Sequence, residues 1–469
     1  MLFPSVEFAL FFVVVLTGSW LLMRQRTAWK WFALGASYVF YGAWDWRYLG
    51  LLAGSSLVNQ GVARAMAGRD DERGRRWWLA AGVAANLGLL GWFKYYGFFV
   101  VSARNALGEF GITPPLPLLE IVLPVGISFF TFQAMSYVID VYRREIDVAP
   151  TLDVFVFLAF FPQLVAGPIV RAREFLPQLA GPRDPRTIPA VTAAGLILGG
   201  LFKKVVIANA LGANLVDPVF ASPGQFSAFE VLVAIYGYAV QIYADFSGYT
   251  DIAIGIALLL GFRFPKNFDA PYAAISLRDF WRRWHMTLSR WLRDYLYIPL
   301  GGSAHGPRRT AAAVLATMVL GGLWHGAAWT FVIWGAIHGF GLVAERALGQ
   351  ARVDTSAMSG VEVTVRRLVT FHLVCLGWVF FRAPSVSDAF EILGRLASPG
   401  AVSLLTPAAL VLIAIGIGVQ YVPRRAATRL ELAADRLSPV ALGVVGGLGL
   451  LVVDALGPVG IAPFIYFQF

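Results

Sequence analysis

Five residues in this chain carry an imidazole: His285, His305, His325, His338 and His372. A neutral imidazole is the titratable group least costly to bury, and burial favours the form that acts as a base. The same ring also serves as interhelical glue, and His338 and His372 fit that use as well as any other. His305 lies in the Gly/Ser/Pro loop GGSAHGP, where a solvated ring is expected. His325 and His338 are 13 residues apart. On one helix that is about 220°, so they would not share a face and do not suggest a metal pair. The single cysteine, Cys375, excludes a disulfide framework and a cysteine zinc site. No GxxxxGK[ST], GxSxG or HExxH motif occurs. ATP-cradling loops, a nucleophile elbow and a zincin site are thereby excluded. What remains is a histidine working alone, or with one partner, as general base on a hydroxyl. That role contributes roughly 10²–10⁴-fold.

His325 is the strongest candidate. It sits in GGLWHGAAWTFVIWGAIHG, residues 321–339, which holds no Arg, Lys, Asp or Glu. Gly321, Gly322 and Gly326 permit close helix packing or close approach of a ligand. Trp324 and Trp329 are placed to wall a cavity. His285 lies in the longest polar interruption, 261–309. There Ser276 resembles a helix cap, with Asp279 three residues on. A helix over 277–296 puts Trp281, Trp284, Leu288, Trp291, Leu292 and Tyr295 on one face. Arginines cover the rest, and His285 falls about 40° from Trp281. This reads as an interfacial amphipathic helix with aromatics at headgroup depth.

The elements that hold these residues must lie in a membrane. The chain has 469 residues, 58% hydrophobic and only 14% charged, with mean hydropathy +0.66. A soluble domain of this size is about a quarter charged. Apolar runs fit to cross ~30 Å of hydrocarbon recur at about 6–23, 29–46, 48–67, 77–101, 121–141, 188–211, 227–260, 310–328, 329–348, 368–381, 403–421 and 439–456. The 152–168 run, broken by Pro162 and Pro168, suits a re-entrant segment. The expected fold class is an all-α polytopic membrane protein of about 11–12 transmembrane helices with re-entrant or interfacial helices. It is read as one domain over 1–469. The first run lacks a basic n-region and is expected to be retained as a span. Arg24, Arg26 and Lys30 follow it, which orients the N-terminus outward. The basic loops near 64–76, 143–147, 171–186 and 263–309 then fall on the cytoplasmic side. The net charge of +10 is thus a topology and lipid signal, not a nucleic-acid footprint.

Six segments resemble the membrane-bound O-acyltransferase superfamily. They are SFFTFQAMSYVIDVYRRE (128–145), FFPQLVAGPIVR (160–171), YADFSGYTDIAIGIALLLGFRFPKNFDAPY (243–272), RDFWRRWHMTLSRWLRDYLYIPLGG (278–302), the 321–339 stretch and GWVFFRA (377–383). The motif-bearing core spans about 128–383, and the pattern looks most like the branch that O-acetylates alginate. The resemblance implies a ring of tilted helices around a central funnel and acyl transfer to a hydroxyl. It implies that His325 is the catalytic histidine and that His285 is the second polar residue upstream. Lipid-acylating eukaryotic members more often carry Asn at the latter place, so His285 favours a bacterial polymer pathway. The implied donor is acetyl-CoA or a carrier-protein acyl thioester, with no bound cofactor or metal. It would dock near Arg278, Arg282, Arg283 and Lys266, with Trp324 and Asp245 as further candidate substrate-binding residues. The implied partners are a periplasmic acetyltransferase and a polysaccharide-synthesis complex, and the implied site is the bacterial inner membrane. D-alanine transfer to teichoic acid, acyl transfer to cellulose or peptidoglycan, and a non-enzymatic conduit are the alternatives.

Overall fold

The computed structural model describes residues 1–112, 114–181, 183–349, 358–400, 402–434, 436–458, 460 and 462–465. Every regular element among them is helical, as an all-apolar environment demands: only a helix satisfies its own backbone donors and acceptors within one segment. Four helices are long and apolar enough to cross a membrane: Ala190–Ala221, Ala228–Leu259, Gly360–Arg382 and Pro439–Leu456. Val6–Leu22 and Pro407–Tyr421 are shorter and equally apolar in character. The broken run also takes the expected form. It gives Thr151–Ala159, then a one-turn helix Phe161–Leu164, split at Phe160. The run expected from residue 121 becomes helical only at Ile127. Gly126 precedes it with φ +76°, and a Cβ there would stand 2.5 Å from the Leu164 carbonyl oxygen.

The chain divides into two compact units, Met1–Ile188 with Ile256–Phe264, and Pro189–Gly255 with Pro265–Phe469. In the first, the Ile127–Tyr142 helix is buried almost throughout. Its Tyr137 hydroxyl donates to Gln60 (2.8 Å), whose amide donates to the Ala149 carbonyl (2.8 Å).

The second unit holds the histidines. Pro307–His325 and Trp329–Ala347 form a hairpin with backbones in near contact. A Cβ on Gly322 would meet the Phe331 carbonyl oxygen at 2.2 Å, and one on Gly335 the Met318 carbonyl oxygen at 2.4 Å. Gly326 is extended (φ −155°, ψ 148°) and ends the first helix directly after His325. The glycines of the 321–339 stretch therefore serve helix packing. His325 and His338 stand on different helices, so the single-helix angle between them does not apply.

Ala190–Leu201 and Ala228–Leu259 also approach closely. A Cβ on Gly200 would sit 2.6 Å from the Gly248 carbonyl oxygen. Beyond Leu201 the first of these passes into a π-turn, Phe202–Ala208. Its successive Lys203 and Lys204 both reach acids on the facing helix, Asp251 and Asp245. These two pairs tie one helix to the other.

The expected helix over 277–296 is not continuous. It breaks into Leu277–Arg283 and Met286–Leu292, followed by a π-turn, Arg293–Tyr297. Ser276 does cap the first piece through the Asp279 amide (3.0 Å). The break falls at Trp284, extended at ψ 130°, and His285, left-handed at φ 41°, ψ 53°. The helical-wheel position of His285 fails for that reason.

Candidate active site

The break at His285 is held open by the preceding loop, through Asn267 and Asp269. The Asp269 amide donates to the Arg283 carbonyl (2.9 Å), and the Met286 amide donates to the Asn267 carbonyl (2.9 Å). The Asn267 side chain completes the stitch. Its Oδ1 lies 3.2 Å from the Thr287 amide nitrogen, 2.9 Å from Thr287 Oγ1 and 3.1 Å from His285 Nδ1. The Thr287 amide can only donate, so the Asn267 atom facing it must be the amide oxygen. An oxygen there can only accept, so His285 Nδ1 carries the ring hydrogen. Nε2 is then the lone-pair nitrogen, and it has no hydrogen-bond partner in the structure. His285 is fully buried, and burial pushes its imidazole down to about 3. It is a neutral base with its usable nitrogen defined.

The surrounding walls are aromatic. The Phe246 ring meets His285 edge-on at 4.6 Å between centres, and Phe268 and Trp324 lie 6.4 and 6.1 Å away. The His325 ring lies 6.4 Å from His285. His325 is itself buried, boxed edge-to-face by Trp324 (5.0 Å), Trp334 (5.0 Å) and Phe381 (5.3 Å). The structure thus brings together His325, His285 and Trp324. Trp329 is 57% exposed and faces away; Trp334, one turn further on, walls the site in its place. Periodicity cannot choose between two tryptophans when the helix start is uncertain.

A cavity of about 450 Å³ opens beside this cluster, lined by Arg278, Trp281, Arg282, Arg290, Arg293 and Tyr297 among others. Trp281 connects the two regions: its ring lies 5.7 Å from Trp334, which touches His325. Two of the four expected basic residues, Arg278 and Arg282, line this cavity. The other two do not. Arg283 is bound to Asp279 (2.8 Å) and Lys266 to Asp269 (2.8 Å). Asp245 is also engaged elsewhere. It is ion-paired with buried Lys204 and accepts the Ile465 amide (3.0 Å).

The remaining histidines separate. His372 donates from Nδ1 to the Leu368 carbonyl (2.7 Å) and accepts the Tyr236 hydroxyl at Nε2 (2.8 Å); it is interhelical glue. His305 is exposed in its loop. His338 is fully buried among Phe280, Trp281 and Trp334.

Two buried imidazoles facing each other in an aromatic box, beside an arginine-lined cavity, suit hydroxyl activation next to an anionic co-substrate. Comparison with known proteins bears on which chemistry this is. Residues 118–360 match the model of the membrane-bound O-acyltransferase family. That segment contains both histidines and the cavity. The chain is a membrane-bound O-acyltransferase. It is 41% identical over 402 residues, 85% of this chain and 75% of the relative, to the "Probable alginate O-acetylase AlgI" of Pseudomonas aeruginosa. It is 38% identical over 397 residues, 79% of this chain and 74% of the relative, to the peptidoglycan O-acetyltransferase of Helicobacter pylori. It is 33% identical over 232 residues, 47% and 56% of the two chains, to the teichoic acid D-alanyltransferase of Streptococcus thermophilus. This O-acyltransferase is a multi-pass membrane enzyme that uses an acyl donor, and its relatives act on polymers of the cell envelope.

Proposed function

We propose that the enzyme moves an acetyl group from acetyl-CoA toward hydroxyls of an extracytoplasmic polysaccharide such as alginate, with His325 as base and His285 as its partner. The observation that carries this is the pair itself. Two buried rings stand 6.4 Å apart, and on His285 the loop at Asn267 fixes which nitrogen is free to accept. Groups of an acceptor sugar fit between the two rings, and its one attacking hydroxyl proton can go to only one of them. His325 takes the hydroxyl proton as the oxygen attacks the thioester carbonyl. The C–S bond breaks as the tetrahedral oxyanion collapses, and the departing thiolate takes the proton back from the His325 imidazolium, which regenerates the base. In a dry aromatic box each dipole near the oxyanion is worth more than in water. The neutral His285 can only accept at Nε2, so it contributes by accepting a second, neighbouring hydroxyl of the acceptor and thereby orienting the one that attacks.

The cavity lined by Arg278, Arg282 and Arg290, with Arg293 at its wall held by Asp294 (2.6 Å), suits the phosphates of the donor. Its tryptophan wall leads toward His325. The acceptor lies beyond the membrane, reached directly or through a periplasmic acetyltransferase partner, and the enzyme resides in the bacterial inner membrane. Peptidoglycan is the second acceptor to test, because that relative is matched over nearly as much of the chain.

The deciding experiment is transfer from radiolabelled acetyl-CoA by the purified enzyme. Wild type is expected to consume acetyl-CoA, and His325→Ala to lose transfer while remaining folded. Consumption only of a carrier-protein thioester would reassign the donor. Full activity in His325→Ala would remove the mechanism.

A further inference from the structure

Arg183 presents a cation with nothing to bind. Its guanidinium lies over the Trp29 ring at 3.6 Å and near Phe262 at 4.8 Å. Nε, Nη1 and Nη2 are all buried, and none has a hydrogen-bond partner among the described residues. Buried polar atoms in folded proteins are almost always satisfied, so three on one side chain ask for an acceptor. No carboxylate among the described residues is ion-paired with it. The nearest acid in sequence, Asp184, is used to cap the Arg186 amide (3.0 Å).

The surroundings are built to keep this arginine in place. Trp29 is held by its own indole N–H, which donates to Ser19 (2.8 Å). Phe262 stacks on Phe175 (5.1 Å) beneath it. Gly261 has φ +84°, and a Cβ there would come within 3.3 Å of Arg183 Cδ. Any side chain at that position is strained and crowds the guanidinium stem. A second cation adds to the local field. Burial first, and the like charge of Arg26 second, push the Arg183 guanidinium down to about 10. It remains charged at neutral pH, and Arg26 is exposed. A stacked, desolvated guanidinium with no ion-paired acid among the described residues and a like charge in its field is held at a cost unless an anion joins it.

We infer that Arg183, stacked on Trp29 and Phe262 and with the like charge of Arg26 in its field, forms a binding site for a phosphate-bearing anion. A planar guanidinium offers paired N–H donors that match two oxygens of one phosphate. The aromatic stack fixes the plane of that fork before the anion arrives, which lowers the ordering cost of binding. Both arginines lie in segments that the positive-inside rule places on the cytoplasmic side, where anionic lipid headgroups and soluble phosphates are both available.

The test uses the full-length enzyme in neutral detergent and reads its thermal midpoint. Phosphatidylglycerol and inorganic phosphate are titrated separately into wild type, Arg183→Gln, Arg183→Lys and Arg26→Gln. Phosphatidylglycerol is expected to raise the wild-type midpoint saturably. The concentration needed should rise at least about tenfold in Arg183→Gln, equivalent to about 1.4 kcal/mol. Arg183→Lys, which keeps the charge and loses the fork, should fall between, and Arg26→Gln should weaken the response further at low salt. Selective response to inorganic phosphate, abolished by the same changes, supports the site and makes its ligand a soluble anion. Should Arg183→Gln fail to fold, Arg183→Lys and Arg26→Gln carry the comparison. Equal response of every folded variant and wild type to both probes overturns the inference.

Discussion

Removing the Asn267 side chain isolates the contribution of the left-handed turn at His285. Its Oδ1 serves three donors, His285 Nδ1 at 3.1 Å, the Thr287 amide at 3.2 Å and Thr287 Oγ1 at 2.9 Å. Each buried bond contributes about 1 kcal/mol net, and a donor left without its acceptor costs about 1–3 kcal/mol. The backbone at His285 adds about 1–2 kcal/mol that the stitch must offset. Asn267→Ala should therefore lower stability by roughly 3 kcal/mol. It should also free the imidazole to rotate and exchange tautomers. If half or more of that energy orients the ring in the transition state, kcat falls by roughly 10- to 100-fold. Asn267→Asp keeps the acceptor and adds a negative charge, which favours the imidazolium. His285 is neutral down to about 3 in the native protein, so its protonation leaves no acidic limb near neutrality. In Asn267→Asp the raised value should bring an acidic limb into view, and activity at high pH should recover relative to Asn267→Ala. The assay is acetyl-CoA consumption between pH 5 and 9, at matched folded fractions. Wild-type kcat and an unchanged pH profile in both variants would refute the role of the stitch.

Other perturbations read other parts of the structure. Gly322→Ala should prevent the hairpin from closing, because the obstacle is the Phe331 backbone at 2.2 Å; Gly321→Ala meets only the movable tip of Leu292 at 3.1 Å and should be tolerated, and fluorescence size exclusion separates the two. Lys204→Ala leaves Asp245 buried without its cation and should cost about 3–5 kcal/mol, seen as a lowered thermal midpoint, whereas Lys204→Met with Asp245→Leu should recover most of it. Arg282→Gln should raise KM for acetyl-CoA several-fold and flatten its salt dependence, while Lys266→Gln, whose partner is Asp269 at 2.8 Å, should leave both unchanged. Below about 6.5 the unfolded chain binds a proton that buried His285 refuses. Stability should therefore decline as pH falls from there, measurable by thermal melts at pH 7 and pH 5.

The membrane character was legible because burial in lipid selects composition directly. The apolar run at 227–260 became Ala228–Leu259, and that at 439–456 became Pro439–Leu456. His325 stood out for the same reason, as an imidazole among residues that carry no charge. The helical wheel misplaced His285 because periodicity assumes an unbroken helix. The break there depends on Asn267, 18 residues earlier, a tertiary contact that no local pattern encodes. The one available signal was chemical: an amide in the polar loop FPKNFDAPY is able to satisfy a buried imidazole. The basic mouth was half legible. Arginine counts located it, but they did not show that Asp279 and Asp269 occupy Arg283 and Lys266. The pairing of Lys203 and Lys204 with two acids was hidden by the π-turn, which changes which residues face a neighbour.

The left-handed backbone at residue 285 (φ 41°) also limits what evolution can place there. β-Branched and bulky side chains are excluded by their own Cβ, whereas His, Asn and Asp enter that region several-fold more often than other non-glycine residues. Of these, Asp would carry a charge into an aromatic box. His and Asn are then the favoured pair, two side chains with a hydrogen-bonding tip, although Arg144 (φ 59°) and Ala270 (φ 49°) show that this backbone accepts other unbranched residues elsewhere in the chain. A saturation library at this codon should return His and Asn as the folded survivors, with Gly folded and inactive.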